Sequence, residues 1–200
     1  MALWASIPGE TPIDDISGLK IKGISTRAEL NVHEANNIRI AVVKYLAKKP
    51  SKKSAPFDYS WCLKLHQEMF GNVWQWAGRL RRSSKTIGVE PHQIEPQLFD
   101  LLKCLELWEQ TDPVVLQATM LHHRAVQIHP FENGNGRWSR LLANIWLKQH
   151  KHPIVLWPEE TIGDASTVRG AYLDAIKKAD DGDCGPLLAL HEKYLSDRTE

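Results

Sequence analysis

Apolar residues recur at helical intervals along most of this chain. From near Ser25, the residues Leu30, Ile38, Ala41, Val42, Tyr45 and Leu46 fall mostly on one helical face. Thr26 and Glu29 have the spacing of a capping box, and Lys48, Lys49 and Pro50 close that helix. A second helix is expected over 58–70, where Trp61, Leu65 and Met69 stand four apart. Residues 79–89 lose the helical period, and the polar turn Ser83-Ser84-Lys85 between two short arms predicts a small hairpin. Helical spacing resumes at Pro96 with Leu98, Leu101, Leu102, Leu105 and Trp108. Asp112 as a cap and Pro113 in the first turn open a helix ending near Ile128. Further helices are expected from about Gly136 to His150, from a Ser166 cap to Ala179, and from Gly185-Pro186 to about Ser196. The sum is an all-α domain of six or seven helices over 25–200 with one small β excursion. Residues 1–24 read as an extended, irregular lead-in.

Composition narrows the function classes. A 42% hydrophobic and 24% charged chain of 200 residues is that of a globular domain, not a disordered or fibrous one. Twenty-five basic against 24 acidic side chains leave a net charge of +1, which supplies no field for non-specific nucleic-acid binding. Three distant cysteines, Cys62, Cys104 and Cys184, read as reduced thiols of a cytoplasmic protein. No basic-then-apolar leader and no 18-residue apolar run occur, so neither export nor a membrane partner is expected. Eight tryptophans and nine histidines raise a metal enzyme as an alternative. His122 and His123 would point about 100° apart on a helix, and no HExxH or carboxylate set accompanies them or His129. Packing histidines are the better reading there. His66, His92, His150, His152 and His191 have no motif context and read as structural or exposed.

The chemistry concentrates in 128–140, IHPFENGNGRWSR. His129 ends one helix, and Pro130 discourages its continuation. Gly134 and Gly136 flank Asn135, so the backbone can turn sharply with its N–H groups inward, and the next helix adds its positive end to the same hollow. Arg137 and Arg140, three apart, share a face of that helix. Together these make an anion pocket suited to a polyphosphate. At its lip, a histidine of near-neutral pKa is a natural base for a hydroxyl nucleophile.

The stretch resembles the HxFx(D/E)GNGRxxR signature of the Fic/Doc (Fido) family, with His129, Phe131, Gly134, Asn135, Gly136, Arg137 and Arg140 in place. WQWAGRLR at 74–81 resembles the family's approach to its flap, and RGAYLDAIKKADDGD its later helix, so about 57–195 is covered. TPIDD near the start and STRAELN before the first helix are most similar to its small members known as mobile mystery protein B. The resemblance implies a Fic-type helical fold and transfer of AMP from ATP, with Mg²⁺, to a Ser, Thr or Tyr hydroxyl of a target protein. It implies His129 as the base. Phe131 would pack the loop, Gly134, Asn135, Gly136 and Arg137 would hold phosphates, and Arg140 would take the terminal one. Arg82, Ser83, Ser84, Lys85, Thr86 and Ile87 would pair with an extended target segment. Gly136, where the phosphorylating Doc branch carries Lys, favours AMP as the group moved.

Two departures qualify that picture. The acidic metal-binding position is Asn133, an amide that can offer magnesium an oxygen but no charge. A nucleotide-binding regulatory module with weak or no transfer, or transfer of another phosphate-containing group, is therefore the alternative. Many relatives are inhibited by a glutamate in [S/T]xxxE[G/N] that pairs with the second arginine. Ser25 and Glu29 have that spacing, but Leu30 breaks the motif, and a capping role for Glu29 weighs equally. Glu34 is the weaker candidate. A toxin-like protein with a separate antitoxin or regulator fits the same pattern.

Overall fold

The computed structural model describes residue 16, residues 18–158 and residues 167–196. The TPIDD segment, most of the lead-in and the expected Ser166 cap lie outside the described residues. Within them run α1 (Arg27–Leu46), α2 (Tyr59–Phe70), α3 (Pro91–Thr111), α4 (Val114–Ile128), α5 (Asn135–Gln149), α6 (Thr167–Asp180) and α7 (Gly185–Lys193). The capping box forms, with Thr26 Oγ1 accepting from the Glu29 N–H and Glu29 returning to the Thr26 N–H. Asp58 caps α2 by accepting from the Trp61 N–H at 2.7 Å.

The centre is α5. It buries Trp138, Leu141, Leu142, Ile145, Trp146 and Leu147 on almost every side, which a helix does only when surrounded. α4 lies against it, α1 and α2 also touch α5, α3, α6 and α7 pack on α4, and all seven helices contribute to one core. This burial brings the N-terminus of α5 and the C-terminus of α4 together, so 128–135 is held from both ends.

Three expectations are corrected. Helix α3 begins at Pro91, not Pro96, because proline is pre-organised for a first turn. Pro96 lies inside the helix, where it removes the bond its N–H would have made to the His92 carbonyl and crowds that carbonyl with its ring. Asp112 closes α3 instead of capping α4, where Pro113 holds the cap position. The Asp112 carbonyl accepts from Gln117 Nε2 at 2.6 Å. Finally, 79–90 forms no hairpin ladder. The Arg81 N–H donates to the Pro130 carbonyl at 2.9 Å and the Val89 N–H to the Ile128 carbonyl at 3.4 Å, so the arms bond to the α4–α5 loop instead of to each other. Among the described residues, pairing of β type is limited to isolated bridges, Leu19 with Trp74 and Val155 with Leu195.

Candidate functional site

The α4–α5 loop is shaped by its own side chains. His129 sits at the C-terminus of α4 in the left-handed region, φ 52° and ψ 59°, which turns the chain sharply before Pro130. Phe131 plunges into the core and stacks on His66 at 3.6 Å between ring centroids, with Trp138 edge-on at 5.0 Å. The Asn135 carboxamide is committed twice to Phe131, accepting from its N–H and donating to its carbonyl, both at 2.9 Å. Asn135 and Phe131 therefore fix the loop.

Gly134 is required by position. Its φ is +78°, and a Cβ there would sit 2.5 Å from the Phe70 ring. His66, read from sequence as structural or exposed, supports the same loop. Its Nδ1 accepts from the Gly78 N–H at 3.0 Å, so its other nitrogen carries the proton and donates to the Asn133 carbonyl at 3.1 Å. Burial pushes the His66 pKa down to about 3, keeping that neutral tautomer. No local sequence signal marks His66, because its partners lie 12 and 67 positions away.

The imidazole of His129 is 8% exposed at the edge of the loop. Burial first, then the positive charge of Arg81, hold its pKa down at about 4; a hydrogen bond to the Val126 backbone pulls it up, and Lys85 adds the smallest downward push. That differs from the near-neutral value expected. The reason is desolvation beside two cations, which penalises the imidazolium.

Of the two arginines it is the first, Arg137, that pairs with a glutamate, and the glutamate is Glu34. Its guanidinium meets the Glu34 carboxylate at 2.5 Å and lies over the Phe70 ring at 4.9 Å. Glu34 is 2% exposed and also accepts from Trp74 Nε1 at 2.6 Å. Glu29, by contrast, is exposed and spends its carboxylate on Ser25 and Thr26, whose N–H groups pull its pKa down. The geometry gives Glu29 the cap and Glu34 the arginine. Arg140 is buried under α6, its guanidinium 5.8 Å from the centre of the Tyr172 ring.

Asn133 offers no metal site built by protein. Its Oδ1 already accepts from the Gly134 N–H at 2.5 Å, with Arg137 Nη2 at 3.5 Å. The adjacent carboxylate, Glu132, turns to Lys85 at 2.7 Å. Among the described residues no group of three or more His, Cys, Asp or Glu side chains converges on one point. His122 bonds instead to His191 at 2.9 Å and to the Tyr172 hydroxyl at 3.0 Å, while His123 pairs with Asp180 at 2.8 Å. The loop 82–88 borders the site: Arg82, Ser83, Ser84, Thr86 and Ile87 are exposed and Lys85 is half-buried.

Comparison with known proteins gives a consistent picture. The model described as the Fic/DOC family matches residues 56–147. The protein adenylyltransferase fic-1 of Caenorhabditis elegans is 32% identical over 139 residues, 66% of this chain and 26% of that protein. The protein adenylyltransferase Fic of Aedes aegypti is 29% identical over 166 residues, 80% of this chain and 31% of that one. The chain thus spans between a quarter and a third of the length of these relatives. A crystal structure of Bartonella tribocorum BepC with bound AMPPNP superposes with a TM-score of 0.67 at 20% identity, over 92% of this chain and 94% of that one. C. elegans Fic-1 (residues 134–508) gives 0.69 at 28% identity, over 90% and 52%.

Proposed function

The chain belongs to the Fic/DOC family through its domain at residues 56–147, and from that premise we propose that it moves AMP from ATP to a hydroxyl side chain of another protein. The observation that carries the reading is a buried, uncharged His129 in the loop that leads into the N-terminus of α5, which no side chain caps and whose first turns carry Arg137 and Arg140. The triphosphate lies against the N–H groups at the start of α5, with Arg137 and Arg140 neutralising its charge. His129 takes the proton of the acceptor hydroxyl. The oxygen attacks the α-phosphorus, the bond from that phosphorus to the α–β bridging oxygen breaks, and pyrophosphate leaves with the electron pair. Magnesium enters as part of the MgATP substrate. Since Asn133 supplies no charge, no step is assigned to a metal held by the protein. Residues 82–87 receive the acceptor as an extended segment, which their exposed, unladdered backbone suits.

Glu34 keeps Arg137 from the phosphates, so the resting protein is held back by its own first helix. A cytoplasmic setting, in which an antitoxin or other regulator reinforces that restraint, extends the same reading. Incubation with ATP labelled at the α-phosphate tests the core of it. Label on protein that is lost in His129→Ala is expected; label surviving that change overturns it. If ATP binds and no label transfers even from Glu34→Gln, the chain is the nucleotide-binding module instead, a reading that Asn133 favours.

A further inference from the structure

Arg81 is a guanidinium buried to 2% exposure, spent on main-chain carbonyls. Its Nε donates to the His129 carbonyl at 2.7 Å, its Nη1 to the Ser83 carbonyl at 2.8 Å, and its Nη2 to the Val89 carbonyl. Its own N–H holds the Pro130 carbonyl. One side chain therefore ties the peptide that sets the His129 direction to both ends of the loop 82–88. The fit is close: at Gly88, φ +102°, a Cβ would come within 2.5 Å of His129 Cβ and 2.8 Å of Arg81 Nη2. Burial pulls the Arg81 pKa down while Glu132 and Glu90 push it up. A buried charge is costly to keep, and carbonyls return part of that cost only when the fork geometry is met. Lysine has the charge without the fork.

We infer that Arg81 is a positioning residue that locks the His129 peptide and the loop 82–88 into one rigid frame, so that base and acceptor strip stay in register. This rests on His129 acting as the base, and its test is chosen to read the frame without transfer. Arg81→Lys and Arg81→Gln are compared with the unaltered chain by amide hydrogen exchange and by NMR titration of the His129 ring, assigned with His129→Ala. Exchange of the Arg81 and Val89 amides, which are bonded to the Pro130 and Ile128 carbonyls at the two ends of the loop, is expected to rise about tenfold or more in both variants, with α2 and α5 unchanged. The His129 titration, near pH 4 in the unaltered chain, moves up in Arg81→Gln and stays in Arg81→Lys, because only the first removes the facing positive charge. Lys85, the other cation acting on that ring, is kept in both. In the α-phosphate transfer assay, kcat falls about 10- to 100-fold with KM for ATP within about twofold, since the phosphate hollow is untouched. Unchanged exchange of the Arg81 and Val89 amides overturns the inference, as does unfolding of both variants, which would make Arg81 a stability residue. Absent transfer in the unaltered chain, with the exchange result intact, would count against the proposed reaction and leave the frame standing.

Discussion

In the proposed reaction a single carboxylate decides whether Arg137 can meet a phosphate. Glu34 is buried, bonded to Trp74 and paired with Arg137, so a triphosphate must displace it. Glu34→Gln keeps an oxygen for Trp74 and removes the charge. It should raise ATP affinity about tenfold by calorimetry and raise self-labelling with it. Glu29→Ala should leave both unchanged, because that carboxylate serves only the helix cap. His129 sets the pH response. With its pKa held at about 4, the imidazole is already the proton-accepting form at neutral pH. The acid limb of kcat/KM for the free protein should lie near pH 4, well below the 6.5 of an ordinary histidine. The limb of kcat should lie higher, since bound phosphates favour the imidazolium.

At the scale of elements, the loop between α4 and α5 depends on one residue without a side chain. Gly134→Ala forces a Cβ onto the Phe70 ring at a φ that alanine resists, so the loop must open. About 1–3 kcal/mol of stability should be lost in urea unfolding, together with ATP binding. The same change at Gly136 meets only Arg140 Nη1 at 3.4 Å, so it should lose far less stability. The start of α1 gives a second handle. Thr26→Ala removes the acceptor of the Glu29 N–H and should cost about 1 kcal/mol, read in the same unfolding experiment.

The whole molecule buries an unusual share of neutral imidazole. His66 and His191 are held at about 3, His129 at about 4, and His122 well below its ordinary value, each chiefly by burial. The folded value lies below the unfolded one in every case, so between pH 6.5 and the folded values the unfolded chain binds more protons. Stability is full above about pH 6.5 and falls as pH drops, by up to about 1.4 kcal/mol per pH unit for each such histidine. The urea midpoint should therefore fall steeply between pH 6.5 and 4. His66→Gln should flatten part of that slope while weakening the loop that His66 supports. A midpoint insensitive to pH over that range would contradict this account.

The helices and the 128–140 loop were legible in the chain because their causes are local. Apolar spacing selects a buried face, Thr26 and Asp58 cap the turns that follow them, and two glycines around an asparagine permit a tight anion loop within nine residues. The start expected at Pro96 and the cap expected of Asp112 fall elsewhere because a proline or an aspartate suits a helix end in more than one register. The expected hairpin failed for a related reason: its backbone groups found partners in the α4–α5 loop, which no pattern within 79–89 could reveal. The pairing of Glu34 with Arg137 spans 103 positions, that of Arg81 with the His129 carbonyl 48, and that of His66 with Asn133 67. Local sequence thus determined that this protein would be helical and where its anion loop and histidine would lie. Tertiary packing alone decided which carboxylate restrains the arginine, which arginine frames the base, and how far burial lowers its pKa, since each depends on desolvation and contacts that exist only once distant helices meet.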